Sequence, residues 1–398
     1  MIWIKSVKIV LIFTIFLCKI CYGSSRDSQT RDAIEDLITS AGFNAESYIV
    51  ETEDNYLLKI HRIRSKIRSV DKNLAPIFFM HGLFATAADY LMTGPTNGLP
   101  YLFANMGYDC WLGNSRGSDY GLGHRTMNSN TKDFWNFSFH EIGHLDVPAF
   151  IDFVLNATGA EKVFYIGHSQ GCTSLMVLLS TRPNYNQKII EAHLMAPAVF
   201  MANFPNPLIR FFASEFDAFI DRTKNYDLIS NSQIMNIVER MNSIFCQTNS
   251  PIMGMCTNAI QMICGRNDNG TETDSRVLPI LIKYLAHAVS TKQINHYIQM
   301  YQSGKFQQYN YGMKNKAIYG QSYPPEYELK NVKIPISIYA GKNDMLVAEK
   351  DIDHLREVLQ NVKRYKVIKN FNHCDFNYGT HAKNFVFNYI IKSINQYK

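Results

Sequence analysis

A serine set between two glycines, Gly167-His168-Ser169-Gln170-Gly171, has the residue types for acyl transfer. A serine hydroxyl is a poor nucleophile near neutral pH. It needs a base to take its proton and donors to hold the charge that develops on the substrate. The G-x-S-x-G spacing is loosely specified by itself, and its context carries the inference. It follows the apolar run Lys162-Val163-Phe164-Tyr165-Ile166 and opens a helix-like run from Cys172. A tight strand-to-helix turn forces the serine into a strained backbone, and glycine on both sides lets neighbouring backbones pass closely. The hydroxyl then stands above a sheet, beside a helix N-terminus whose amides favour negative charge.

In such an arrangement the acid and then the histidine follow the serine along the chain. Setting His193 aside, the later histidines are His287, His296, His354, His373 and His381. The first two fall in a segment of different patterning. His354 lies inside an amphipathic stretch and His381 opens the last one. His373, on Asn370-Phe371-Asn372-His373-Cys374-Asp375 after the run Tyr365-Lys366-Val367-Ile368, is the expected base. Asp344 follows the run Ile336-Ser337-Ile338-Tyr339-Ala340 and is the expected acid, although an aspartate there also suits a turn or a helix cap. The oxyanion needs two backbone donors. Gln170, just after the serine, supplies one, and Leu83 in Met80-His81-Gly82-Leu83-Phe84 supplies the other.

These groups require a scaffold of buried strands. Short apolar runs with β-branched and aromatic residues recur at 76–80, 108–112, 162–166, 193–195 and 336–340. An alternating pair of segments at 48–60, broken by Glu53-Asp54-Asn55, reads as a hairpin. Between strands, Val147, Phe150, Ile151 and Val154 form one helical stripe, and Ile352, Leu355 and Leu359 another. Strands alternating with helices predict an α/β fold, a mostly parallel sheet with helices on both faces. The rhythm breaks over 198–321, a Phe- and Met-rich, helix-patterned insertion between two parts of one core. Phe200, Phe204, Phe211, Phe212, Phe216 and Phe219 crowd its start, more than one helix face hides.

With 398 residues and 46% hydrophobic content, the chain can fill a large core, and wholesale disorder is excluded. The formal charge of +6 includes Lys5, Lys8 and Lys19 near the N-terminus; the rest has no basic run, so a nucleic-acid partner is not expected. Lys5 and Lys8 precede the apolar stretch at 9–17, and Cys21-Tyr22-Gly23 places small residues at a cleavage site. Residues 1–23 therefore read as a signal peptide into the secretory pathway. That stretch is far shorter than the roughly 20 residues of a spanning helix, and no later segment is long enough. Asn136-Phe137-Ser138, Asn156-Ala157-Thr158 and Asn269-Gly270-Thr271 are N-glycosylation acceptors. Cys246, Cys256 and Cys264 cluster without the paired spacing of a zinc site, which favours one disulfide among them over a metal. Cys110, Cys172 and Cys374 stand apart in different core elements and are expected as free thiols. No cofactor is expected.

Several motifs in one order resemble the acid lipase family of animals. They are Phe79-Met80-His81-Gly82-Leu83, Trp111-Leu112-Gly113-Asn114-Ser115-Arg116-Gly117, Phe134-Trp135-Asn136-Phe137-Ser138-Phe139-His140-Glu141, Gly167-His168-Ser169-Gln170-Gly171 and Asn372-His373-Cys374-Asp375-Phe376. The resemblance implies an α/β-hydrolase core over 24–197 and 322–398, with 198–321 as a helical cap and lid. It also implies Ser169, Asp344 and His373 as triad, Leu83 and Gln170 as oxyanion donors, and a Cys246–Cys256 disulfide with Cys264 free. The activity implied is cleavage of triacylglycerol or sterol esters at a lipid–water interface by a monomer, secreted or lysosomal. A carboxylesterase with a narrower acyl pocket, or a non-catalytic lipid binder on the same fold, are the competing readings. The sequence departs from the family at Asp119-Tyr120-Gly121-Leu122-Gly123-His124 and at His140-Glu141-Ile142-Gly143-His144.

Overall fold

The computed structural model of the chain describes residues 32–207, 210, 261–266 and 287–398. The chain enters through α1 (Ala33–Ser40), capped by Asp32, whose carboxylate accepts from the amides of Ile34 and Glu35. The hairpin follows as β1 (Phe43–Glu51) and β2 (Tyr56–Ser65), paired antiparallel from Phe43 opposite Ser65 to Glu51 opposite Leu57. Asn55 makes the turn with φ of 70°, a conformation that asparagine adopts more readily than most residues.

The remaining strands are β3 (Ile77–Met80), β4 (Cys110–Gly113), β5 (Gly123–His124), β6 (Val163–His168), β7 (Ile189–Met195), β8 (Ile336–Gly341) and β9 (Val362–Ile368). Among the described residues they form one sheet in the order β1-β2-β4-β3-β6-β7-β8-β9, with β5 on β2. Pairing is antiparallel in the hairpin, at β2–β4 and at β2–β5, and parallel from β4 through β9. All five expected runs lie on these strands. The central ones are buried at every residue, as sheets covered on both faces require. The outermost, β9, carries Lys363, Arg364 and Lys366, charges that blunt an edge against pairing with other chains.

Alternation of side chains divides the core. Phe78 packs on one face with Trp111, Phe150 and Tyr165, and its neighbour Phe79 on the other with Leu112, Ile166 and Phe376. Helices cover both faces: α2 (Leu99–Asn105), α3 (Val147–Thr158), α4 (Gln170–Thr181), α5 (Thr291–Ser303), α6 (Glu349–Val358) and α7 (Asn388–Ile394). The expected stripe of Val147, Phe150, Ile151 and Val154 is fully buried on α3. That helix ends where Gly159 takes the left-handed conformation, φ 72°. The segment 198–321 lies within the long connection between β7 and β8, which are direct neighbours in the sheet. Phe200 is buried and Phe204 half-buried; Phe211, Phe212, Phe216 and Phe219 lie outside the described residues.

The cysteines require a correction. Cys110 and Cys172 are free and buried, as expected. Cys264 and Cys374, both expected as thiols, are joined in a disulfide. The cause is a contact between the insertion and the core. Cys264 O accepts from the amides of Met345 and His373, and Asn372 Nδ2 donates to Gly265 O at 3.0 Å. The two cysteine Cα atoms are thereby held 6.0 Å apart, within the reach of a disulfide. Gly265 allows the approach, since a Cβ there would lie 1.9 Å from Asn343 O. Cys246 and Cys256, like Asn269 and the signal segment, lie outside the described residues. Asn136 and Asn156 are exposed. No helix among the described residues is long and apolar enough to cross a membrane.

Candidate active site

Ser169 stands on the turn between β6 and α4 with φ 54° and ψ −116°. This is a conformation of high cost for a residue with a Cβ. It is held by its own amide, which donates to Met195 O at 2.9 Å, and by two close backbone passages. A Cβ on Gly171 would lie 2.1 Å from Met80 O, so α4 meets β3 with no side chain between. A Cβ on Gly82 would lie 3.1 Å from Ser169 Cβ. The glycines of the motif therefore set the distance between the serine and the loop after β3.

Three side chains from separate strand ends converge. The Ser169 hydroxyl donates to His373 Nε2 at 2.8 Å, and His373 Nδ1–H donates to Asp344 Oδ2 at 2.8 Å. All three are buried. The second oxygen, Asp344 Oδ1, accepts from the amides of Leu346 and Val347, each at 2.8 Å. Three such hydrogen bonds fix the carboxylate in one orientation. The loops bearing the acid and the base are tied together, because Asn343 N donates to Phe371 O and Lys342 N to Ile368 O.

A further set of residues holds these three, and sequence reasoning did not reach it. His168 Nε2–H donates to His373 O at 3.0 Å. Burial, and then the neighbouring His373, push its pKa down to about 3, so this ring is neutral. His81 is also neutral, pushed down to about 4 by burial. Its Nε2 accepts from Ser115 N at 3.1 Å, which leaves the proton on Nδ1 to bond Gly82 O at 2.8 Å. That bond fixes the loop bearing Leu83. On the other side, Gln293 Nε2 of α5 donates to Gln170 Oε1 at 2.5 Å. His168 and His81 lie beside motif residues and were within view of the sequence. Gln293 acts across 123 positions, a separation that leaves no local trace.

Leu83, Ser169 and His373 line a cavity of about 640 Å³. Its walls come from the core loops (Phe84, Leu346, Val347) and from the insertion (Phe204, Ile263, Ile294). Neither of the two divergent motifs contributes to this lining. His140 instead bonds the Tyr327 hydroxyl at 2.8 Å and stacks on His144. Among the described residues no group of acidic, His or Cys side chains is placed to hold a metal ion. The arrangement is suited to attack on a carbonyl by an oxygen nucleophile inside an apolar pocket.

Comparison with known proteins agrees with this geometry. A family model described as a partial α/β-hydrolase lipase region matches residues 34–94, and one described as the α/β-hydrolase fold matches residues 75–243. Lipase 3 of Drosophila melanogaster is 35% identical, covering 98% of this chain and 98% of its own. Gastric triacylglycerol lipase of Homo sapiens is 32% identical, covering 92% and 91%. Lysosomal acid lipase/cholesteryl ester hydrolase of Homo sapiens is 30% identical, covering 94% and 93%. Among solved structures, a Sulfolobus solfataricus protein described as a candidate lipase aligns with a TM-score of 0.60 at 9% identity, over 89% of this chain and 95% of that one. At that identity the likeness is one of fold. The relatives by sequence extend over nearly the whole chain and cover every element that brings Ser169, Asp344 and His373 together; the chain belongs to the animal acid lipase family of α/β-hydrolase-fold proteins and is a carboxylic ester hydrolase of the lipase type.

Proposed function

We propose that the chain cleaves long-chain acyl esters, triacylglycerol or sterol ester, through Ser169 as nucleophile, His373 as base and Asp344 as the acid that orients it. The observation that carries this reading is the serine–histidine–aspartate hydrogen-bond chain opening into an apolar cavity of about 640 Å³. Ser169 Oγ forms a bond to the ester carbonyl carbon as His373 Nε2 takes its proton. The carbonyl oxygen becomes an oxyanion, received by the backbone N–H groups of Leu83 and Gln170. The carbon–oxygen bond to the alcohol then breaks, and His373 returns the proton to the leaving alkoxide. Water, deprotonated by the same imidazole, releases the fatty acid and restores the serine. Asp344 steadies the imidazolium as it forms.

The segment 198–321 acts as cap and lid over this cavity, and the protein works as a monomer on lipid at an interface. The family names of its relatives support a secreted or lysosomal destination, with glycans on Asn136, Asn156 and Asn269. A fluorophosphonate probe should label Ser169, and turnover of emulsified trioleoylglycerol and cholesteryl oleate should exceed that of a dissolved short-chain ester. Labelling without long-chain turnover would leave a carboxylesterase, and absence of both would leave a lipid binder.

A further inference from the structure

The same cavity has a polar corner that acyl transfer does not use. Asp89 lines it together with Ser169, Leu83 and Tyr378. The aspartate sits on the short helical turn Ala87–Tyr90 and is 3% exposed. That turn does not need its carboxyl, because Thr86 supplies the cap to Ala88 N and Asn114 Oδ1 accepts from Ala87 N. Asp89 Oδ1 and the neighbouring Tyr378 hydroxyl are buried and make no hydrogen bond of good geometry; each has the other as its interacting polar neighbour. A buried polar atom left unpaired is costly, and it persists where something else satisfies it.

We propose that Asp89 and Tyr378 form a specificity-determining subsite that receives a free hydroxyl of the substrate, so that among glycerides the enzyme acts faster on those with a free hydroxyl than on the triacylglycerol it also cleaves. The proposal rests on the hydrolase reading above and names its substrate class. A hydroxyl both donates and accepts, and the pair facing it can do the same. Burial pushes the Asp89 carboxyl up to about 7, so near neutral pH it is partly protonated and able to donate. The Tyr378 hydroxyl, held far above its usual range by burial, remains a donor. His287 lies near Asp89 but turns Nδ1 to Asp119 Oδ2 at 3.3 Å, and the buried His81 is neutral. An ester without the hydroxyl would enter the cavity and leave the pair with only its mutual contact, a condition under which a polar site discriminates.

The test uses one matched pair in the same mixed micelles: 1,2-dioleoylglycerol and its 3-O-methyl ether. Wild type should favour the free hydroxyl by at least about 10-fold in kcat/KM. Asp89→Leu should bring that ratio towards one, Asp89→Asn should keep most of it, and Tyr378→Phe should reduce it part of the way. Rates are taken per active serine, counted with a fluorophosphonate, so poor folding of any one variant lowers yield and not the ratio. A wild-type ratio near one, or a ratio left intact by both Asp89→Leu and Tyr378→Phe, overturns the proposal alone. Failure of wild type to hydrolyse either ester would overturn it together with the hydrolase reading.

Discussion

His373 is gripped on every side that does not face substrate: Asp344 at Nδ1, His168 at its carbonyl and the Cys264 carbonyl at its amide. Such restraint predicts that the reacting side chains are far less replaceable than their neighbours. Ser169→Ala should fold and be secreted yet lose about 10⁶-fold in kcat. Asp344→Asn, which keeps the shape but misplaces the imidazole proton, should lose about 10⁴-fold. Both are read by pre-steady-state and steady-state hydrolysis of one ester, and near-normal turnover in Ser169→Ala would refute the assignment. These three residues were legible in the sequence because each sits on the turn or loop that follows a strand, and strand ends are marked locally. Asp89 was not legible. An aspartate in a turn is ordinary, and only the packing around it reveals that its oxygen caps nothing.

The elements position this chemistry through close approach, and the approach has no slack. α4 touches β3 at Gly171, where a methyl group would overlap the Met80 carbonyl oxygen. Gly171→Ala is expected to push the helix off the strand, displacing Ser169 from His373 and moving the Gln170 amide, the proposed oxyanion donor. A loss of at least about 100-fold in kcat with a lowered Tm should follow, since small misplacements of reacting groups carry costs of that size. Gly159→Ala, at a left-handed helix end with open space around it, should cost stability only. If the two variants fell equally in activity, the elbow would not be the sensitive joint. Strands and the α3 stripe could be read from the sequence since their periodicity is local. The Gln293–Gln170 contact and the pairing of Cys264 with Cys374 could not, because each joins the insertion to a distant part of the core. Grouping the cysteines by closeness along the chain missed that pairing for the same reason.

At the scale of the whole molecule, the described core buries an unusual number of neutral imidazoles. Burial pushes His81 and His193 down to about 4, and His168 and His296 to about 3, from an ordinary value of 6.5. Unfolded, each would take a proton below 6.5, whereas folded it refuses one until pH 3 to 4. Their contribution is therefore fully present above pH 6.5 and is lost progressively as pH falls. Asp89 and Asp146 act in the opposite sense, burial raising them to about 7 and about 6. Four groups against two predict a lower urea midpoint at pH 5 than at pH 7, and an equal or higher midpoint would contradict this balance. The Cys264–Cys374 bond has a topological consequence for the same molecule. It closes a covalent ring of 110 positions between the serine's half of the chain and the half bearing the acid and base. A protease that opened the backbone within 267–286 would create a two-chain hydrolase, with Ser169 on one polypeptide and His373 on the other. The fragments would travel as one band without reductant and as two with it, and the staple would sit one residue from the imidazole that both fragments must share.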